Sequence, residues 1–184
     1  MNGTGPGRIR IEPVRREWAD ALADSDAEFT RQFGVPVKAG WAGFPEALPI
    51  IIAAAHEGGH GQWGPHLFFG EDGALIGNGG WKGPPVDGAA ELGYAVAPAR
   101  QGRGVATAIV RELVRRARAA GLHMVFAHTL AAESASTSVL ARCGFARAAE
   151  LTDPDEGPVW RWELRLNDNA GQRSSGVDCR HARA

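Results

Sequence analysis

The sequence predicts a mixed α/β domain, and three stretches carry that expectation. Residues 91–121 run from a short, mostly apolar strand (Glu91 to Val96) through a turn holding Pro98, Arg100, Gly102, Arg103 and Gly104 into a long amphipathic segment. There Ala106, Ile109, Val110, Leu113, Val114 and Ala117 recur with the spacing of one helix face. Gly121 follows an arginine-rich last turn, a left-handed cap after a turn that complements the helix dipole. Residues 66–81 hold two strand-like runs around Glu71-Asp72-Gly73, a hairpin signal. Residues 123–166 add a strand, a helix and two closing strands.

The other elements follow in chain order. Arg8 to Val14 alternates around Ile9 and Ile11 and predicts a first strand. Arg15 to Gly34 carries Trp18, Ala21, Leu22 and Phe29 at helical spacing, broken by Asp24-Ser25-Asp26, and predicts one or two short helices. Residues 35–46, rich in Pro, Gly and Trp, predict irregular structure. Glu46 to Glu57 predicts a helix with Pro49 confined to its first turn, stopped by Gly58-Gly59. His66 to Gly70 and Ala74 to Trp81 are the hairpin strands; Gly77, Gly79 and Gly80 in the second predict a bulge or a close-packed neighbour. His123 to Leu130 is apolar at Met124, Val125, Phe126 and Ala127, and Glu133 to Arg142 predicts the second core helix. Phe145 to Glu150 and Pro158 to Leu166 read as the closing strands, with Trp160 and Trp162 on one face. The domain is thus placed at residues 8–166, with 1–7 and 167–184, polar and Gly-rich, expected to be disordered.

At 184 residues, 44% hydrophobic and 22% charged, the chain has enough length for one domain with a real core. A net charge of −1 argues against general affinity for nucleic acid or a membrane surface. Cys143 and Cys179 are too few for a disulfide framework, and no signal peptide or membrane-length apolar run stands out, so a cytoplasmic setting is expected. His56, His60 and His66 suggest a metal cluster only superficially. Gly58-Gly59 interrupts the first pair and no Cys or carboxylate motif completes a shell, so no metal is expected.

The turn before the long helix has a physical use. A helix amino terminus carries unpaired N–H groups and partial positive charge, so phosphate is stabilised there. Gly102 and Gly104 allow close approach to the backbone, and Arg100 and Arg103 add charge. A P-loop would need Gly-Lys-Ser/Thr, and a dinucleotide fingerprint would need glycine where Thr107 stands. What is present is Gln101-x-x-Gly104-x-Ala106 after Val96-Ala97-Pro98, and downstream a run from Ser136 to Cys143-Gly144-Phe145. Together these resemble the coenzyme A signature and the helix ending in Gly-Phe of the GNAT superfamily of acyl-CoA-dependent N-acyltransferases. The pattern Glu91-Leu-Gly-Tyr-x-Val-x-Pro98 looks closest to its branch of ribosomal-protein N-terminal acetyltransferases.

The resemblance implies a GNAT-type mixed, mostly antiparallel central sheet of roughly six to seven strands flanked by about four helices. It implies acetyl-CoA as co-substrate and direct attack by an amine, a small molecule or a peptide N-terminus. Such an amine has pKa about 10.4, so baring its lone pair at neutral pH costs roughly 4.6 kcal/mol and calls for a base. The coenzyme would lie along Val96, Ala97, Pro98, Gln101, Gly102, Arg103, Gly104, Val105, Ala106 and Thr107, with the N–H of Val96, at a bulge, polarising the thioester carbonyl. The family usually has an asparagine where this chain has Glu133; either Ser134 substitutes or that contact to the coenzyme is missing. For the base, Glu91 and His128 compete, with Glu91 preferred; by alternation Glu91 shares a face with Gly93 and Ala95, opposite Leu92 and Tyr94. The family's acid, a tyrosine on the second core helix, is Leu140 here, while Ser136 remains, either as a contact to the coenzyme sulfur or pantetheine or as a plain residue of the helix start. The early helices would wall the acceptor pocket. A homodimer is compatible with the family, and a non-catalytic acyl-CoA-binding sensor is the rival from another class.

Overall fold

A computed structural model describes residues 7–57 and 61–166. The expectations for the chain ends, for Gly58-Gly59 as a helix stop and for His60 lie outside or at the edge of these residues. Seven strands form one sheet in the order β1-β2-β3-β4-β5-β7-β6. These are β1 (Arg10–Pro13), β2 (Pro65–Phe69), β3 (Leu75–Trp81), β4 (Ala89–Val96), β5 (Met124–Leu130), β6 (Ala146–Asp153) and β7 (Gly157–Arg165). All neighbours are antiparallel except β4 and β5, which the helix α4 (Val105–Ala119) joins as a crossover. The other helices are α1 (Arg16–Asp24), α2 (Asp26–Phe33), α3 (Ala47–His56) and α5 (Ala135–Arg142).

Two apolar clusters occupy the two sheet faces. On one, Ile109, Val110, Leu113 and Ala117 of α4 and Leu140 of α5 pack against Leu92, Val96, Val125 and Ala127. On the other, Trp18, Leu22, Phe29 and Ile51 of the early helices meet Leu67, Phe69 and Leu75. The break in the 15–34 run resolves into two helices, because Ser25 ends α1 while its hydroxyl accepts the N–H of Glu28 and caps α2. The irregular segment 35–46 is tied down by buried Asn78, whose amide donates to the carbonyls of Trp41 (3.0 Å) and Ala42 (2.9 Å). Of the two alternatives for the glycines of β3, the close-packed neighbour is found at Gly79, and the irregularity of the strand falls at Ile76 beside Gly77. A Cβ on Gly79 would come within 2.6 Å of Tyr94 Cα, and the register of β2 on β3 shifts between Phe68 and Phe69.

The feature that makes a site is the end of the parallel pair. Strands β4 and β5 are registered only at Ala89↔Met124, Ala90↔Val125 and Glu91↔Phe126, and beyond Glu91 they separate. Strand β5 continues in pairing with β7 while β4 stays with β3. A cleft therefore opens in the sheet, with α4 and α5 on one side of it.

Candidate active site

The amino terminus of α4 is open. Gly104 is its N-cap, at φ +76°, and no side chain bonds the first turn. The first amide to enter the ladder is that of Ala108, which donates to Gly104 O. The preceding amides of Val105, Ala106 and Thr107 line a cavity of about 490 Å³. Helix α5 is the contrast: Ser134 Oγ accepts from Thr137 N and Thr137 Oγ1 accepts from Ser134 N, so its terminus is closed by a capping box. Of two helix ends facing the cavity, only α4 lacks a side-chain cap, which leaves its first turn of amides open to an anion. Arg100 and Arg142 line the same cavity without an acidic side chain beside them in its wall, although Arg100 also ion-pairs with Asp72. Gln101 donates from Nε2 to Val96 O (2.9 Å), fastening the loop to the strand end. These groups fit a polyphosphate chain entering at α4.

Strand β4 presents its backbone to the cleft. Lys82 N–H donates to Glu91 O at one end of the β3–β4 ladder, and Ala97 N–H donates to Ile76 O at the other. Antiparallel alternation then makes 91, 93, 95 and 97 the bonded positions, so the amides of Tyr94 and Val96 face away from β3, toward the gap that β5 has left. No bulge is needed: β4 pairs with β3 without a break as far as Val96, and the expected bulge there is absent. The parting of β5 frees these amides instead.

At the apex of the cleft the two base candidates touch. Glu91 Oε1 accepts from Lys82 Nζ (2.6 Å) and lies 3.0 Å from His128 Nδ1. Burial would raise the carboxyl pKa of Glu91, but the hydrogen bonds from Lys82 and His128 outweigh it and hold the group below its ordinary value. His128 Nε2 has no protein partner among the described residues, and the ring packs edge-on to Phe126 at 5.7 Å.

On the helix side, Ser136 in the first turn of α5 lines the cavity, and the hydroxyl of Tyr94 reaches it, 3.1 Å from Ser136 Oγ and 3.2 Å from Ser136 O. Leu140 is fully buried in the core, so its position supplies no acid. Cys143 donates to Thr107 O at 3.7 Å, and burial pushes its thiol pKa up, keeping it protonated. Ser134 is committed to capping, which engages the hydroxyl proposed to replace the missing asparagine.

The structure thus brings Val96, Gln101, Gly102, Gly104, Val105, Ala106 and Thr107 of the expected coenzyme loop around one cavity with Tyr94 and Ser136. Ala97, by contrast, is buried in the cluster of the early helices, and Pro98, Arg103 and Ser134 do not line the cavity. Glu91 and His128 stand at the cleft's apex. The sequence reading missed Tyr94 and Arg142; a tyrosine opposite Glu91 in alternation and an arginine in a last helical turn carry no distinguishing signal. His56 pairs with Asp20 (2.6 Å) and His66 is buried in β2, so these two do not meet. Among the described residues no cluster of three His, Cys, Asp or Glu side chains forms a metal site, and no helix is long and apolar enough to cross a membrane.

The family model of the Acetyltransferase (GNAT) domain matches residues 8–146. No curated protein matches the sequence. Among solved structures the fold is similar to Mycobacterium smegmatis RimJ in complex with CoA-disulfide, at TM-score 0.63 and 22% identity over 90% of this chain and 85% of that one. It is similar to the ribosomal-protein-S5-alanine acetyltransferase of Vibrio fischeri, at TM-score 0.61 and 18% identity over 87% and 94%. It is also similar to the spermidine N-acetyltransferase of Vibrio cholerae in complex with CoA and spermine, at TM-score 0.62 and 13% identity over 85% and 95%.

Proposed function

The chain belongs to the GNAT acetyltransferase family, whose acyl donor is acetyl-CoA, and on that premise we propose that it acetylates a primary amine, a small molecule or a peptide N-terminus, by direct attack. The observation that carries this reading is the cleft itself: an uncapped helix terminus on one side and a hydrogen-bonded Glu91–His128 pair at its apex. The pyrophosphate lies on the amides at the start of α4, with Arg100 and Arg142 about it. The amides of Tyr94 and Val96, about 7 Å apart along the strand, receive the thioester carbonyl and a carbonyl of the pantetheine arm.

The roles of the two base candidates follow from their contacts. A carboxylate held ionised by Lys82 is a weak acceptor, so Glu91 orients the ring through Nδ1, and Nε2 of His128 takes the proton from the amine, directly or through water. Direct attack is supported by Cys143, the thiol that reaches Thr107 behind the cavity wall, being kept neutral.

The test is thiol release from acetyl-CoA over a panel of amines and amino-terminal peptides, run beside His128→Ala and Glu91→Gln. An acceptor whose turnover falls roughly 10²- to 10⁴-fold in His128→Ala, and less in Glu91→Gln, supports both the reaction and the base. Acetyl-CoA that binds by calorimetry, with no amine ever releasing thiol, would sink the enzyme reading in favour of a sensor.

A further inference from the structure

Tyr94 is the only tyrosine in the chain, and its hydroxyl spans from β4 to the first turn of α5 across the floor of the cavity. A phenol has one proton, and here it has two acceptors at nearly equal distance, Ser136 Oγ and Ser136 O. When it donates to the carbonyl, the phenol oxygen takes the serine proton and none faces the cavity. When it donates to Oγ, the serine keeps a proton free to turn inward. An anion in the cavity favours the second arrangement.

We propose that Tyr94 is a positioning residue that aims the Ser136 hydroxyl at the coenzyme sulfur, so that Ser136 hydrogen-bonds the departing thiolate. The proposal rests on the acetyl-CoA reading of the cavity. In the reaction a C–N bond forms and the C–S bond breaks, with its electron pair going to sulfur. The amine gives up a proton to His128, and the thiolate takes one from solvent on release. Ser136 and Tyr94 stabilise the anion without surrendering a proton. Burial, only partly offset by the bond to Ser136, pushes Tyr94 up to about 12, well above a thiol near 8.5.

Coenzyme A itself is the probe. Its thiolate is titrated by ultraviolet absorbance as the difference between bound and unbound samples, in wild type, Tyr94→Phe, Ser136→Ala and the double variant. The bound thiol is expected to titrate below its free value in the wild type. Tyr94→Phe should raise it by about one unit, Ser136→Ala by at least as much, and the double variant no further. Melting temperatures of the variants check that the ring still packs. An unchanged thiol titration in Tyr94→Phe, or shifts that add in the double variant, would overturn the proposal. A wild type that binds no coenzyme A would overturn the acetyl-CoA reading and the proposal with it, an outcome distinct from binding without a shift.

Discussion

Acid should weaken this fold through one buried histidine before the arginine-paired carboxylates Glu28 and Glu112 are protonated. His66 in β2 is 1% exposed, with Nδ1 held 2.9 Å from Gly64 O. Burial pushes its pKa down to about 4, and the charge of Arg116 adds to that while the Gly64 carbonyl opposes it. In the unfolded chain the ring titrates near 6.5. The unfolded state therefore holds the extra proton across this window, so stability is complete above about pH 6.5 and is lost as pH falls toward about 4. Between about pH 7 and about pH 4.5, this single group should remove roughly 2 kcal/mol. Glu28 and Glu112, held down to about 2 chiefly by Arg31 and Arg115, lose their own contributions only at lower pH. Urea unfolding followed by the fluorescence of the six tryptophans measures the effect. With a slope near 2 kcal/mol/M, the midpoint should fall by about 1 M across that range. His66→Asn, whose amide is also a donor for Gly64 O, should start lower but show little of this decline. A wild-type midpoint flat over the range, or an equal decline in His66→Asn, would refute the assignment.

Two further substitutions probe the framework of the site. Ser134→Ala removes the acceptor for Thr137 N (3.2 Å) and should cost about 1 kcal/mol, a fall of roughly 2–4 °C in melting temperature, since α5 has no other cap for that amide. Gly79→Ala places a methyl group 2.6 Å from Tyr94 Cα at a residue with φ +150°, and should cost at least about 3 kcal/mol or leave the protein insoluble. A loss under about 1 kcal/mol in urea unfolding would mean that β3 and β4 are not so closely apposed.

Much of the framework was legible because its signals are local. The apolar period over Ala106–Ala117 located α4, and the Glu71-Asp72-Gly73 turn located the hairpin within a residue or two. Helix α5 begins at Ala135 rather than Glu133 because Ser134 and Thr137 cap each other, a pairing the sequence states only once the helix is known. Helix α3 is apolar on nearly every side, buries Ala47 and Ile51 and leaves Ile50 63% exposed, so its composition identified the helix but not its inner face. The turn before α4 was readable for the same local reason, since Gly102 and Gly104 stand where the backbone takes positive φ. The bond between Glu91 and His128 was not, since it joins residues 37 apart on strands whose adjacency is a tertiary fact. Tyr94 was read as opposite Glu91 in alternation, but its place in the cavity was not, because a split between strands opens to both faces.

The parting of β4 from β5 also bears on how the chain assembles. Strands β2, β3 and β4 are consecutive antiparallel neighbours, joined over short separations, whereas the β4–β5 pair has three registered positions and requires the whole of α4 to be in place first. Closing that long connection costs chain entropy before the few contacts across it return anything, so this junction is expected to be among the last parts to form. During synthesis the segment through β4 emerges before its partner strand exists. The cavity proposed for the acyl donor is then completed only when the two halves of the sheet meet, and donor binding there would report on the finished fold.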